Sequence, residues 1–231
     1  MENQANGLGK VNKKLTSVEK ATSTILKNIP VLSSHEEIVL NSLGKTLAKP
    51  VTALLSNPPS NVSSMDGYAL KSSDIENGVL EFTVIDESVA GKSSSKTVAT
   101  MQTVRIFTGA KIPRGADRVI LQEDIKRLGN NLIKINKNKL ENNNFFIRKT
   151  GMDFKLGEKL IDKGEVLNTR NISLCVASGN SWVTIRRKPK IGIISTGNEL
   201  LKFGEIQNSK NNDKIISSND IFLFNFINQL G

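Results

Sequence analysis

Four short stretches of the chain carry side chains that could do chemistry. The first is Ser63-Ser64-Met65-Asp66-Gly67-Tyr68-Ala69, where an Asp precedes a Gly at a loop-to-strand junction. That carboxylate can face a ligand. A plain Asp-Gly turn with Tyr68 packed beside it accounts for the same residues, and taken alone the turn is the better account. The second runs from Arg105 to Asp117 and holds Thr108-Gly109-Ala110 at the end of an expected strand. A hydroxyl and free backbone N–H groups there suit an anion; taken alone, a strand followed by a Pro/Gly turn is the better account of the residues. The third is Ile147-Arg148-Lys149-Thr150-Gly151-Met152-Asp153. Two cations beside an Asp can hold a phosphate and a metal together, or form a solvated turn. The fourth, Ile193-Ile194-Ser195-Thr196-Gly197-Asn198-Glu199-Leu200, follows a short apolar run. Open α/β sheets bind ligands at the carboxyl ends of their strands, so this stretch is the one to favour as functional on its residues alone. Its glycine spacing fits neither a dinucleotide fingerprint nor a Gly-Lys-Ser phosphate loop.

The elements that must position these residues follow from periodicity and turn chemistry. Thr16-Ser17-Val18-Glu19 offers a capping box, and Val18, Ala21, Ile25 and Leu26 share one helical face before Pro30. Ser33 to Glu37 opens a second short segment with Ile38, Val39, Leu40, Leu43 and Leu47 apolar, bent at Gly44 and stopped at Pro50. His35 is expected in its N-terminal turn, at the surface. Asn57-Pro58-Pro59-Ser60-Asn61 marks a loop. Short β-like runs follow at Leu80–Ile85, Thr103–Thr108, Asp117–Gln122, Asn131–Ile135 and Asn144–Arg148, separated by Gly-containing turns. Gly157 and Asp162-Lys163-Gly164 suggest one further β turn. Thr169 to Ser178 reads as a helix closed at Gly179. Lys190 to Ser195 reads as a continuous apolar strand buried in a parallel sheet. Ser218-Asn219-Asp220 then caps a helix from Ile221 to Leu230, with Gly231 in C-cap position. A lone parallel strand needs a partner, so the chain is expected to stop inside an α/β domain.

Composition narrows the function classes. The chain has 231 residues, 38% apolar and 23% charged, which suits a folded globular protein. No run of eighteen apolar residues occurs, so no membrane partner is expected. The polar start, Met1 to Lys14, lacks an apolar signal core, and the cytoplasm is the expected address. A single cysteine, Cys175, and a single histidine, His35, exclude an intramolecular disulfide and the usual Cys/His zinc site. Net charge is +10, but the excess is local: Lys126 to Lys163 holds ten basic and four acidic residues. Aromatic residues are only 5%, so no base-stacking platform is expected, and a solvated Lys/Asn-rich surface is favoured over a nucleic-acid groove. A small anionic substrate is the third use for that charge.

Together these stretches, with Leu43-Gly44-Lys45-Thr46-Leu47-Ala48, Pro113, Gly115, Ala116, Arg186-Arg187-Lys188-Pro189-Lys190 and Ser218-Asn219, resemble the MoeA/gephyrin family of molybdopterin molybdenumtransferases. The likeness is collinear over nearly the whole chain. It implies a multidomain α+β fold: a polar tail over 1–15, a discontinuous helical and β domain from 16–56 and 150–185, an inserted β-rich module over 57–149, and an incomplete α/β molybdopterin-binding domain over 186–231. It implies molybdenum cofactor biosynthesis, with insertion of molybdenum from molybdate into adenylylated molybdopterin and release of AMP, with Mg2+. By motif position Asp66, Asp153 and Glu199 would be catalytic, with Asp66 and Glu199 also metal ligands. Thr108, Gly109, Arg148, Ser195, Thr196 and Gly197 would bind the pterin substrate. The resemblance also implies a homodimer in which Asp66, Thr108 and Asp153 face Glu199 of the other copy, with other cofactor-biosynthesis proteins as partners.

The chain departs from the family at Pro58 to Ser64, where bacterial members commonly carry Phe-Asp-Asn-Ser, and at Met152, usually polar or acidic. The family's later acids, pterin loop and final barrel would lie beyond Gly231, so these residues alone are expected not to insert molybdenum. A non-catalytic scaffold or regulatory relative of the same family is the alternative.

Overall fold

The computed structural model describes residues 16–140, 145–202, 204–205 and 213–230. The expected tail over 1–15, the asparagines at 142–144 and the C-cap at Gly231 lie outside the described residues. The chain packs as two units. One is Ser34–Arg186; the other joins the residues before and after it.

Within Ser34–Arg186, backbone pairing brings the two ends together. Strand β1 (Ser34–Ile38) runs antiparallel to β12 (Trp182–Arg186), with Ser34 opposite Arg186 and Ile38 opposite Trp182. Strand β2 (Val51–Thr52) pairs with β11 (Lys159–Ile161). Helix α3 (Thr169–Ala177) packs against them. It forms where Asn168 accepts from the Asn171 N–H and the Asn171 side chain accepts from the Asn168 N–H, each at 2.9 Å. Val39, Leu47, Val51, Ile161, Leu167, Cys175, Val183 and Ile185 fill the core between these elements.

The segment expected to start at Ser33 as a turn is a strand, so His35 lies in β1, half-buried, rather than in an N-terminal turn. Its neighbours Glu36 and Glu37 pair with Thr184 and Val183, a partner almost 150 residues away that no local pattern announces. Val39–Asn41 form a single 3₁₀ turn.

A second core belongs to a six-stranded sheet of order β7-β4-β6-β5-β9-β8, built from β4 (Gly67–Leu70), β5 (Glu81–Ser88), β6 (Gln102–Ile106), β7 (Arg118–Leu121), β8 (Ile125–Arg127) and β9 (Leu132–Ile135). Its neighbours are antiparallel except β5 with β6. Four of the five expected runs are strands of this sheet, β5, β6, β7 and β9, with ends moved by a few residues; of the fifth, Ile147–Arg148 form a strand that pairs with Val62–Ser63 instead. Side-chain alternation splits the apolar residues between two faces. Tyr68, Leu70, Phe82, Ile120, Ile133 and Ile135 cluster on one, beside Ile75 of the short helix α2 (Ser72–Glu76). Ala69, Ile106, Ala110 and Val119 cluster on the other, covered by Ile112, Phe146 and Ile147.

The other unit holds helix α1 (Val18–Asn28), the parallel pair β13 (Leu200–Leu201) and β14 (Ile215–Ile216), and helix α4 (Asn219–Gln229). Ser17, not Thr16, caps α1, accepting from the Lys20 N–H at 3.3 Å. The strand expected over Lys190–Ser195 does not form: Ile191 is 55% and Ile194 85% exposed. An apolar run becomes a strand only where a ladder partner meets it, and the described residues bring none to this run. Ser218 makes no side-chain cap to α4; instead Asp220 accepts from the Ile221 N–H at 2.9 Å and the Ser217 hydroxyl at 3.0 Å. Among the described residues no helix is long and apolar enough to cross a membrane.

Candidate functional site

A three-segment ribbon holds the first group of site residues. Its middle is Asn61 to Asp66, containing β3 (Val62–Ser63). On one side lies the turn after β6: the Gly109 N–H donates to Ser63 O at 2.8 Å, the Ser63 N–H to Ala110 O at 2.9 Å and the Ile112 N–H to Asn61 O at 2.9 Å. On the other lies β10 (Ile147–Arg148), antiparallel with Ile147 opposite Ser63 and Arg148 opposite Val62. The Asn61 amide oxygen accepts from the Thr150 N–H at 2.9 Å and its hydroxyl at 3.2 Å. Asn57 O and Pro58 O accept from the Asp153 and Gly151 N–H groups, each at 2.9 Å.

Asp66 is fixed at the end of this ribbon. Gly67 follows because β4 and β7 approach closely: a Cβ there would lie 2.0 Å from the Ile120 carbonyl oxygen. Asp66 Oδ1 accepts both the Thr108 N–H and the Thr108 hydroxyl at 2.8 Å. Those two bonds, the N–H first, hold the Asp66 carboxyl below its ordinary range against partial burial, and Arg105 adds a nearby positive charge. Gly109, with φ of +80°, turns the chain in a conformation that favours glycine.

Of the two accounts of Thr108-Gly109-Ala110, the turn is the one found, and its N–H groups are not free. The Thr108 N–H goes to Asp66, the Gly109 N–H to Ser63 and the Ala110 N–H to Phe107. The turn is satisfied by the protein's own acceptors. What it presents is a carboxylate with acceptor capacity left over, since two donors use only part of its roughly four lone-pair positions.

Arg148 and Asp153 form an ion pair, and both side chains are about two-fifths exposed at 43% and 41%. An exposed pair of this kind contributes under about 1 kcal/mol, so its partners can be redirected to a ligand at little cost. Met152 beside it is exposed.

The second group lies in the other unit. Ser195, Thr196, Gly197 and Glu199 share one exposed loop before β13. The Glu199 carboxylate folds back on Gly197, where a Cβ would stand 2.5 Å from Oε1, and the Leu200 N–H donates to Gly197 O at 3.2 Å. The Ser217 hydroxyl lies 3.4 Å from the Ser195 hydroxyl, tying the loop to the start of α4. Thus the structure gathers Asp66, Thr108, Gly109, Arg148 and Asp153 on one ribbon, and Ser195, Thr196, Gly197 and Glu199 in one loop of a separate unit. The expected metal pair, Asp66 with Glu199, is brought together within neither unit. Among the described residues no three His, Cys, Asp or Glu side chains converge to hold a metal.

Sequence reasoning gave no role to Arg105. On β6 it stands opposite Tyr68, and its guanidinium lies over the Tyr68 ring at 5.0 Å and the Phe107 ring at 4.7 Å. The alternation Arg105-Ile106-Phe107 against Tyr68 was the available signal: it puts a cation and two rings on one face. Asn61 was likewise read only as part of a loop.

Residues 16–179 match the family described as "MoeA N-terminal region (domain I and II)", and the chain belongs to that family. Among its relatives is a molybdopterin molybdenumtransferase of Staphylococcus epidermidis, 33% identical over 93% of this chain and 53% of that protein. Another of that name, from Nostoc, is 30% identical over 94% of this chain and 50% of its own length. A gephyrin of Dictyostelium discoideum is 28% identical over 94% of this chain and 32% of its own length. A solved molybdopterin biosynthesis MoeA protein from Pyrococcus horikosii superposes with a TM-score of 0.81 at 30% identity, over 94% of this chain and 55% of that one. The chain spans about half the length of the molybdenumtransferases it matches. It is a member of a family of molybdenum cofactor biosynthesis.

Proposed function

We propose that the protein carrying this chain moves molybdenum from molybdate onto the dithiolene of adenylylated molybdopterin and releases AMP. One observation supports the assignment of residues: Asp66 is held by two Thr108 bonds on the same ribbon that carries the Arg148–Asp153 pair. In this reading Asp66 orients the substrate by accepting its hydrogens. Thr108 and Gly109 keep that carboxylate in place, and Arg148 leaves Asp153 to meet an anionic group. Charge-assisted bonds of this kind are the strong ones in a site. Ser195, Thr196, Gly197 and Glu199 complete the cleft from the second copy of a homodimer. Magnesium enters only as a companion of the substrate's phosphates, since that ion keeps several waters and needs few protein oxygens; no step is assigned to it. Turnover is assigned to the whole protein, because these residues match about half the length of the relatives.

The test is AMP release by the whole protein, given adenylylated molybdopterin, molybdate and magnesium. Wild type should release AMP only when molybdate is present. Asp66→Asn should slow release by about 100-fold, the range for losing one oriented electrostatic contact. Molybdate-independent release, or an Asp66→Asn protein as fast as wild type, overturns the assignment. Sedimentation equilibrium tests the dimer, and a monomer at working concentration would remove the shared cleft.

A further inference from the structure

We propose that Arg105 is a positioning residue that fixes the two peptide groups flanking Gly67, immediately after Asp66. The inference rests on the function proposed above but on different atoms. The Arg105 Nη1 group donates to Gly67 O at 3.2 Å, the carbonyl immediately after Asp66. Its Nη2 group donates to the Gln122 side-chain oxygen. Gln122 in turn donates its own N–H to Asp66 O at 3.2 Å. One guanidinium thus reaches the carbonyl after Asp66 directly and the Asp66 carbonyl through Gln122.

The guanidinium is itself held in place. The Tyr68 and Phe107 rings lie 5.0 and 4.7 Å from its centre, and a planar guanidinium stacks on such rings while its edge still donates. It also lines a cavity of about 390 Å³ with Tyr68, Asp86, Glu87 and Arg127. The other groups around Asp66 are Thr108 after β6, and Gln122 and Glu123 after β7, whose side chains hydrogen-bond to each other at 3.1 Å. A lysine at 105 would bring charge without the fork, so it would not replace this arginine.

The experiment uses the whole protein and compares Arg105→Met, Arg105→Lys and Gln122→Ala with wild type. Two quantities are read: hydrogen exchange of the Gln122 backbone N–H, which donates to Asp66 O, and kcat and KM for molybdate-dependent AMP release. In Arg105→Met that N–H should exchange roughly 10-fold faster, and kcat should fall roughly 10- to 100-fold with KM little changed, as for a small misplacement of a reacting group. Arg105→Lys should recover the exchange protection in part and kcat very little. Gln122→Ala should lower kcat roughly fivefold, as for one lost hydrogen bond. An unchanged exchange rate and unchanged kcat in Arg105→Met overturns the inference; if that variant does not fold, the same result in Gln122→Ala does. Full recovery of kcat by Arg105→Lys overturns it too. If wild type releases no AMP while exchange is still faster in Arg105→Met, the functional reading fails and the clamp stands.

Discussion

Replacing Gly67 with alanine tests whether the close approach of β4 to β7 builds the Asp66 corner. The added methyl would meet the Ile120 carbonyl oxygen at 2.0 Å and its carbon at 2.9 Å. Both atoms are backbone and cannot swing aside, so the strands must part by more than about 1 Å to reach ordinary contact. Gly67 sits opposite Leu121, and Tyr68 opposite Ile120. Parting them loosens about two ladder hydrogen bonds, each worth ~1 kcal/mol net and more where a buried group is left unpaired. Against this, alanine restricts the unfolded chain and returns ~0.5 kcal/mol. The balance is a loss of about 2–3 kcal/mol. For a unit of this size that lowers Tm by roughly 5–12 °C. Gly78 is the internal control: it has φ of +85° with nothing within 4 Å of its built Cβ. Gly78→Ala therefore costs only the left-handed strain, ~1 kcal/mol. Thermal melts followed by near-UV circular dichroism measure both. A Gly67→Ala protein as stable as wild type, or more stable than Gly78→Ala, would refute the steric reasoning.

Three other outcomes are expected. Thr108→Val keeps the N–H bond to Asp66 and removes the hydroxyl, so the Asp66 midpoint, now held below the ordinary carboxylate value, should rise toward that value without reaching it. Because that carboxyl is depressed in the folded protein, its stabilising effect is present above the ordinary value and is lost as pH falls through the lower folded midpoint; acid unfolding of Thr108→Val should begin at a higher pH than in wild type. Asn168→Ala removes the side-chain acceptor for the Asn171 N–H at the start of α3 and should cost about 1 kcal/mol in urea unfolding; no change would mean the cap is idle. Cys175 is fully buried, and burial pushes its thiol up, so iodoacetamide at mildly alkaline pH should label it only as fast as the unit opens. Rapid labelling of the native protein would contradict that core.

Much of the sheet was legible in the sequence because strand runs in this unit alternate and end on Gly-containing turns. Leu132–Ile135, which follows Gly129, shows the alternation within a single stretch, whereas Arg118–Leu121 is a short apolar run read from its composition. Helix α3 was legible for the same local reason, its stop at Gly179 included, where φ is +87°. His35 was not, because Ser34–Ile38 becomes a strand only through β12 at the far end of the unit. Lys190–Ser195 shows the converse: strongly apolar residues with no partner strand among the described residues. At the site the residue types were readable, but their partnerships were not. Asp66 and Thr108 are 42 positions apart, and Thr150 reaches Asn61 across 89. The turn at Thr108-Gly109-Ala110 was readable locally, but not that the Thr108 and Gly109 N–H groups would go to the distant Asp66 and Ser63. Arg105 was hidden likewise, since its role depends on Gln122.

The ribbon around Asn61–Asp66 has a consequence for how the protein acquires its site. Its central piece is gripped by one segment about 45 residues onward and another about 85 residues onward. Closing such spans must precede any reward from the bonds they permit, and topology of this sort slows folding. The Asp66 corner therefore cannot be completed during synthesis until the segment around Arg148 has been made. Chains interrupted before the second span closes would carry every residue of the ribbon's middle piece and still lack its shape. Substitutions that weaken either flanking segment should reach Asp66 as a shared loss, so distance from the carboxylate is a poor guide to which changes silence it.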